Sequence, residues 1–234
     1  MSDTSRYAMP LLDAAQAQKH VTLNEALVRA DALGARLAED WGLTIPPSAP
    51  VDESAWIVGA LATGDWDGHD DEIALFLNGG WVFVAPWSGV SFWVSSTGAR
   101  VTWTGTAWVE GVVASSPAGA VTVQRVIEID HTLTTGASSV TGTVIPDKAV
   151  VLGVTARVTS SITGVSGWSI GVSGSTDRYG TGYGTSLGAF AQGVTGQPQA
   201  YYGATSLEIT AEGGTFTAGA VRLAVHVQEI FPPA

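Results

Sequence analysis

The chain has 234 residues, 45% of them hydrophobic and only 13% charged, which provides enough apolar surface for one large domain or two small ones. Its 21 acidic residues against 10 basic ones leave a formal net charge of −11 that would repel a phosphate backbone overall, and the basic residues form no cluster, so nucleic acid is not expected as a partner. With no cysteine, disulfides, thiolate metal centres and cysteine nucleophiles are excluded too.

The first ten residues lack a basic segment followed by an apolar run, and nowhere do about 18 apolar residues follow one another. Neither a secretion signal nor membrane insertion is expected. Residues 10–40 are rich in Ala, Leu, Gln and Glu, with Leu23, Leu27, Ala30, Gly34 and Leu37 at helical spacing, and they predict a helix that stops at Gly42. Thr22 or Asn24 could divide it in two. So narrow a stripe favours packing within the chain over a coiled coil.

From Trp56 to Trp108, short apolar segments alternate with turn residues such as Asn78-Gly79-Gly80, which predicts a meander of hairpins. Eight of the nine Trp fall between Trp41 and Trp108, where they are read as core volume, with stacking on sugar rings as the alternative. Residues 112–119 (VVASSPAG) read as a linker between two domains, 1–111 and 120–234.

Beyond the linker the apolar period becomes two. Val150, Leu152, Val154, Ala156 and Val158 alternate with more polar neighbours, as do Trp168, Ile170 and Val172, and then Val221, Leu223, Val225 and Val227. The fold class expected is therefore mainly β: an N-terminal helix with a small Trp-rich β-meander domain, then a C-terminal antiparallel β-sandwich of jelly-roll type. Residues 174–203 are the least regular stretch, and a loop of that length is usually functional or an assembly contact.

Four patterns bear on chemistry. Residues 184–188 (GTSLG) match the nucleophile-elbow pattern around Ser186, but no helical pattern follows and no Asp occurs after it, so a hydrolase reading with Glu208 and His226 is the weaker one. Residues 64–72 (GDWDGHDDE) gather Asp65, Asp67, His69, Asp70, Asp71 and Glu72; the spacing fails the calcium-loop pattern, and a solvated loop is preferred to a structural metal. The carboxylates of the later domain show no pairing legible from spacing, so a capsule-degrading enzyme has no support. The fourth pattern is the set Asp177, Arg178, Tyr179, Tyr183, Tyr201 and Tyr202. Apolar sugar faces stack on aromatic rings and hydroxyls meet planar polar groups, so these six are the candidate carbohydrate-binding residues. Equally open is a reading in which Asp177 and Arg178 pair locally and the tyrosines cover the sandwich edge. No catalytic residue, cofactor or metal is assigned, and the protein is not expected to be an enzyme.

The segment PLLDAAQAQKHVTLNEAL at 10–27, continued by GDWDGHDDEIALFLNGGWVFVAP and GARVTWTGTAWVEG, resembles a family of phage and gene-transfer-agent proteins whose amino-terminal domain is of unknown function. The resemblance covers about residues 8–110. Later segments, VTARVTSSITGVSGW, STDRYGTGYG and AVRLAVHVQEI, resemble the carboxy-terminal half of such proteins. The family includes head spikes that attach particles to capsular polysaccharide. The resemblance implies a spike on the particle surface, made in the cytoplasm without a signal peptide and released by lysis. Its first domain would hold the capsid or a sister spike protein, and its sandwich would bind host capsular polysaccharide. Spikes are commonly trimeric, so a homo-oligomer, with a trimer favoured, is expected, and multivalency would compensate for weak single sites.

Overall fold

The Ala- and Leu-rich amino-terminal stretch forms helix α1 (Lys19–Gly34) in a computed structural model that describes residues 3–12 and 19–233. The expected helical residues 13–18 lie outside the described ones. α1 ends eight residues before Gly42: Ala35 N–H still bonds the Asp31 carbonyl at 3.0 Å, and Arg36 then turns left-handed at φ 53°. Its buried side is also not the expected stripe. Val28, Asp31 and Ala32 face inward while Leu23 is 47% exposed, and Asp31 is the reason. This buried carboxylate accepts hydrogen bonds from Thr4 Oγ1 (2.9 Å), Arg6 N (2.8 Å) and Tyr7 N (2.7 Å), fastening residues 4–7 to the helix. A hydrophobic period cannot register a polar anchor.

The chain divides into two units, Met1–Val112 and Val113–Ala234. In the first, α1 is followed by β1 (Leu37–Ala38), β2 (Trp41–Leu43), β3 (Ser54–Val58), β4 (Ile73–Leu77), β5 (Gly80–Val84), β6 (Ser91–Val94), β7 (Ala99–Trp103) and β8 (Trp108–Glu110). These strands make two four-stranded sheets, β2-β3-β4-β5 and β1-β6-β7-β8, where a single meander was expected. The hairpins are present, but β1 and β2 each add a parallel strand, to β6 and β3 respectively. Parallel pairing joins segments distant in sequence, so no turn residue announces it.

Strands β3 and β4 are covered on both faces. Ala55, Ile57, Ile73 and Leu75 join a cluster with Val28, Ala32, Phe92 and Val101, while Trp56, Val58 and Ala74 pack with Trp66. On that second side Trp81 receives Trp56, Trp66 and Phe76 edge-on at centroid distances of 5.4, 5.2 and 5.0 Å. Most tryptophans therefore supply core volume, and Trp87 and Trp93 are the ones left substantially exposed.

The acidic loop is organised by hydrogen bonds. Asp70 accepts the backbone N–H groups of Leu61 and Ala62, both at 2.9 Å, and His69 Nδ1 meets Glu72 Oε2 at 2.8 Å. No three potential ligands converge on a common point among the described residues. The Ala62 and then the Leu61 amide hold the Asp70 carboxyl below its ordinary value of 3.8. Because the folded pKa is the depressed one, the contribution of Asp70 is complete above about pH 4 and disappears as pH falls through the lowered value. Acid titration followed by Trp fluorescence should show a loop transition below pH 3.8 that Asp70→Asn removes. A transition unaltered in that variant would refute the assignment.

The second unit is an antiparallel sandwich. Its strands are β9 (Val112–Ser115), β10 (Val121–Thr132), β11 (Ser138–Ile145), β12 (Val150–Thr163), β13 (Gly167–Gly171), β14 (Phe190–Ala200), β15 (Thr205–Glu212) and β16 (Ala218–Phe231). The five-stranded sheet runs β14-β12-β16-β10-β9 and the three-stranded sheet β11-β15-β13. Val154, Ala156, Val158, Leu223 and Val225 meet Trp168, Ile170, Leu207 and Ile209 in one core. Each fully buried aliphatic side chain contributes about 2 kcal/mol.

Three expectations are corrected. Residues 112–115, read as linker, form the edge strand β9. Residues 190–200, read as loop, form the opposite edge strand β14, whose Gln, Gly and Pro residues carry no apolar alternation because an edge strand is paired on one side only. In β12 the expected alternation fails at its start: Val151 is buried and Leu152 only half-buried. The cause is a bulge, since Val151 pairs with Val227 and Gly153 already with His226.

Candidate functional site

The six residues singled out in the sequence separate into two groups. Backbone bonds from Tyr179 N to Ile170 O (2.8 Å) and from Tyr183 N to Trp168 O (3.0 Å) lay residues 179–183 along β13. That register turns the Tyr179 ring into the core, where its hydroxyl meets the Tyr201 hydroxyl at 2.6 Å. Burial above all, and then this hydrogen bond, pushes the Tyr179 hydroxyl far above an ordinary phenol, so it stays protonated. Tyr183 is half-buried and donates to the Tyr179 carbonyl, with its own pKa raised by burial. Tyr179, 1% exposed, presents no free ring face and is corrected from a stacking residue to a structural one. Tyr183 packs partly against the same core, its ring tilted on Trp168 at a centroid distance of 5.3 Å; the sequence showed aromatic type but not which side of the added strand each ring occupies.

Glu212 fixes the same segment from β15, accepting from Thr181 Oγ1 and from Gly182 N at 3.2 and 3.1 Å. A tight turn precedes it, with Arg178 N–H on Ser175 O and Gly180 N–H on Asp177 O. This turn leans on Gly171, where a β-carbon would stand 2.0 Å from Ser175 O. Asp177 is exposed at the turn.

Arg178 has a different role. It lines a depression of about 660 Å³ with Val140, Ser173, Tyr201, Ser206 and Glu208. The alternation of β15 sends Leu207 and Ile209 into the core and Ser206, Glu208 and Thr210 to the other face, while the turn behind Gly171 brings Arg178 over it. Arg178 Nε is buried and has no hydrogen-bond partner. The ion pairs of this unit join Arg125 to Glu229 and Arg222 to Glu128 and Asp130; Arg178 has none among the described residues, so it is not paired with Asp177. A desolvated guanidinium N–H without an acceptor is costly, and an oxygen-bearing ligand would relieve that cost. Tyr202, next to Tyr201, is 91% exposed.

Of the expected set, then, the structure gathers Arg178 and Tyr201 at the depression with Tyr202 adjacent in sequence, and turns Tyr179 and Tyr183 inward. Reasoning from sequence passed over Ser206 and left Glu208 unassigned; the period-two phase of β15 was the signal that places them together. Ser186 leads through a turn into β14 and not into a helix, so no strained elbow forms, and His226 Nε2 lies 3.1 Å from Thr155 Oγ1.

Residues 23–109 match the family described as "Protein of unknown function (DUF2793)". The match spans most of α1 and the strands of the first unit. No curated protein matches the chain.

Proposed function

We propose that the protein is a surface spike of a phage or gene-transfer-agent particle, in which the second unit binds capsular polysaccharide of the recipient cell and the first attaches to the capsid or a sister spike protein. The observation that carries the saccharide reading is the depression beneath Arg178. A guanidinium with an unsatisfied buried N–H shares the lining of this depression with the carboxylate of Glu208 and the hydroxyl of Ser206. This donor and acceptor mixture suits the vicinal hydroxyls of a sugar, and the exposed Tyr202 ring offers an apolar face nearby in sequence. Assembly as a homo-oligomer, with a trimer favoured, would raise avidity for a repeating polymer.

In the full chain, Arg178→Ala should weaken binding to capsulated cells by about tenfold or more, the scale of a charged hydrogen bond, with binding to capsule-free cells as the baseline. Equal binding of the parent protein to both cell types would sink the reading. A second reading, a spike or tail component with only protein partners, is favoured by the inward position of Tyr179 and Tyr183. It predicts no capsule-dependent binding at all. Catalysis has no place in either reading.

A further inference from the structure

The outer face of the five-stranded sheet carries an ordered row across four strands. Register aligns Asp130 on β10, Arg222 on β16, Arg157 on β12 and Phe190 on β14. Directly opposed residues of paired strands point to the same face, so these four side chains stand side by side over about 14 Å, three strand spacings. The next row is Glu128, Ala224, Thr155 and Gln192. All of these residues except Asp130 line a shallow groove of about 380 Å³.

Two features of the first row set it apart from a solvated sheet face. Two arginines lie opposite each other, an arrangement that is unfavourable unless neutralised. Arg222 is neutralised by two bonds to Asp130 at 2.7 and 2.8 Å, with Glu128 at 3.6 Å. Arg157 is not: its Nη1 donates to the Gly188 carbonyl at 3.0 Å, and no carboxylate pairs with it among the described residues. Beside this cation the Phe190 ring is 65% exposed. A guanidinium with no carboxylate partner next to an exposed ring, on a flat floor with the Gln192 amide and the Thr155 hydroxyl and with Glu128 held toward Arg222, matches a sugar ring that bears a carboxylate.

We propose that the outer face of β12 and β14 is a second saccharide-binding surface, selective for an acidic sugar, in which Phe190 stacks on the ring and Arg157 takes the carboxylate. The surface rests on the reading that the second unit binds saccharide. It extends that reading by naming a ligand class and a second site on the same module, so that one polymer chain can be held at two points.

The test uses the full chain carrying Arg178→Ala, which leaves the sheet face to report binding. The probes are uronic-acid oligosaccharides from alginate and the same oligomers with their carboxyls reduced, titrated by calorimetry. The expected result is binding with at least about a fivefold preference for the uronate form. Arg157→Gln should abolish that preference, whereas Phe190→Ala should weaken both forms alike by about fivefold to tenfold. A merely structural role for Arg157 would leave the ratio unchanged, which overturns the proposal. So would loss of all binding in the Arg178→Ala chain while the parent chain binds, a result that leaves the Arg178 site standing. Failure of the parent chain to bind either oligomer or capsulated cells removes both sites together. If Phe190→Ala instead shifts the oligomeric state in sedimentation, the face is a contact between copies and the proposal falls.

Discussion

Replacing Gly171 by Ala should unseat the turn that holds Arg178. No room exists for the added methyl: an ideal β-carbon at this position would lie 2.0 Å from Ser175 O and 2.4 Å from the Thr176 carbonyl carbon, both backbone atoms that cannot rotate aside. Either the turn at 175–178 lifts or β13 shifts, and β13 is pinned in the core by Trp168 and Ile170. The turn should therefore yield. Overpacking of this kind costs about 1–3 kcal/mol, read as a lowered urea midpoint with an unchanged slope. Capsule-dependent binding should fall at least as far as it does for Arg178→Ala, because the guanidinium moves away from Glu208 and Ser206 together. A Gly171→Ala protein as stable as the parent would mean that the turn does not lean on the strand.

Asp31→Ala is expected to have the larger effect on the first unit. The carboxylate is buried and serves three donors, Thr4 Oγ1, Arg6 N and Tyr7 N, at 2.7 to 2.9 Å. Its removal takes the acceptor from these three donors, at about 1–3 kcal/mol for each group that stays buried. The segment at 4–7 can relieve part of that cost by detaching into water. A total of about 3 kcal/mol follows, with faster proteolysis at the amino terminus as the accompanying sign. Asp31→Asn keeps one acceptor oxygen and should lose roughly half as much. Should the two variants unfold at the parent's midpoint, the anchor would be refuted.

These two positions show how far the residues alone could be read. Period-two alternation in β13 and β16 was legible because large apolar residues alternate there with small or polar ones: Trp168 and Ile170, and Val221, Leu223, Val225 and Val227, are inside as expected. Asp31 was invisible, since a carboxylate on the buried face of a helix looks like a solvated one until its partners at Thr4 and Tyr7 are brought to it by folding. Tyr179 and Tyr183 turned inward for a related reason. Their chemistry suited a sugar site, yet the pairing of residues 179–183 with β13 decides which ring points inward, and that pairing leaves no local mark. Arg178 and Glu208 are 30 residues apart, and the turn over Gly171 is what places both at one depression.

What the sequence by itself determined was the kind of protein: abundant Gly, Val, Thr and Trp with few charges and no Cys specify turns and pleated strands. Composition and local period set secondary structure because each residue's backbone preference and the side it buries act over a few positions. Only the tertiary structure decided the long-range pairings: the parallel strands β1 and β2, the edge strands β9 and β14, the bulge at Leu152, and which polar side chains share a surface. Those depend on register between segments far apart in the chain, where a shift of one residue exchanges the inner face for the outer one.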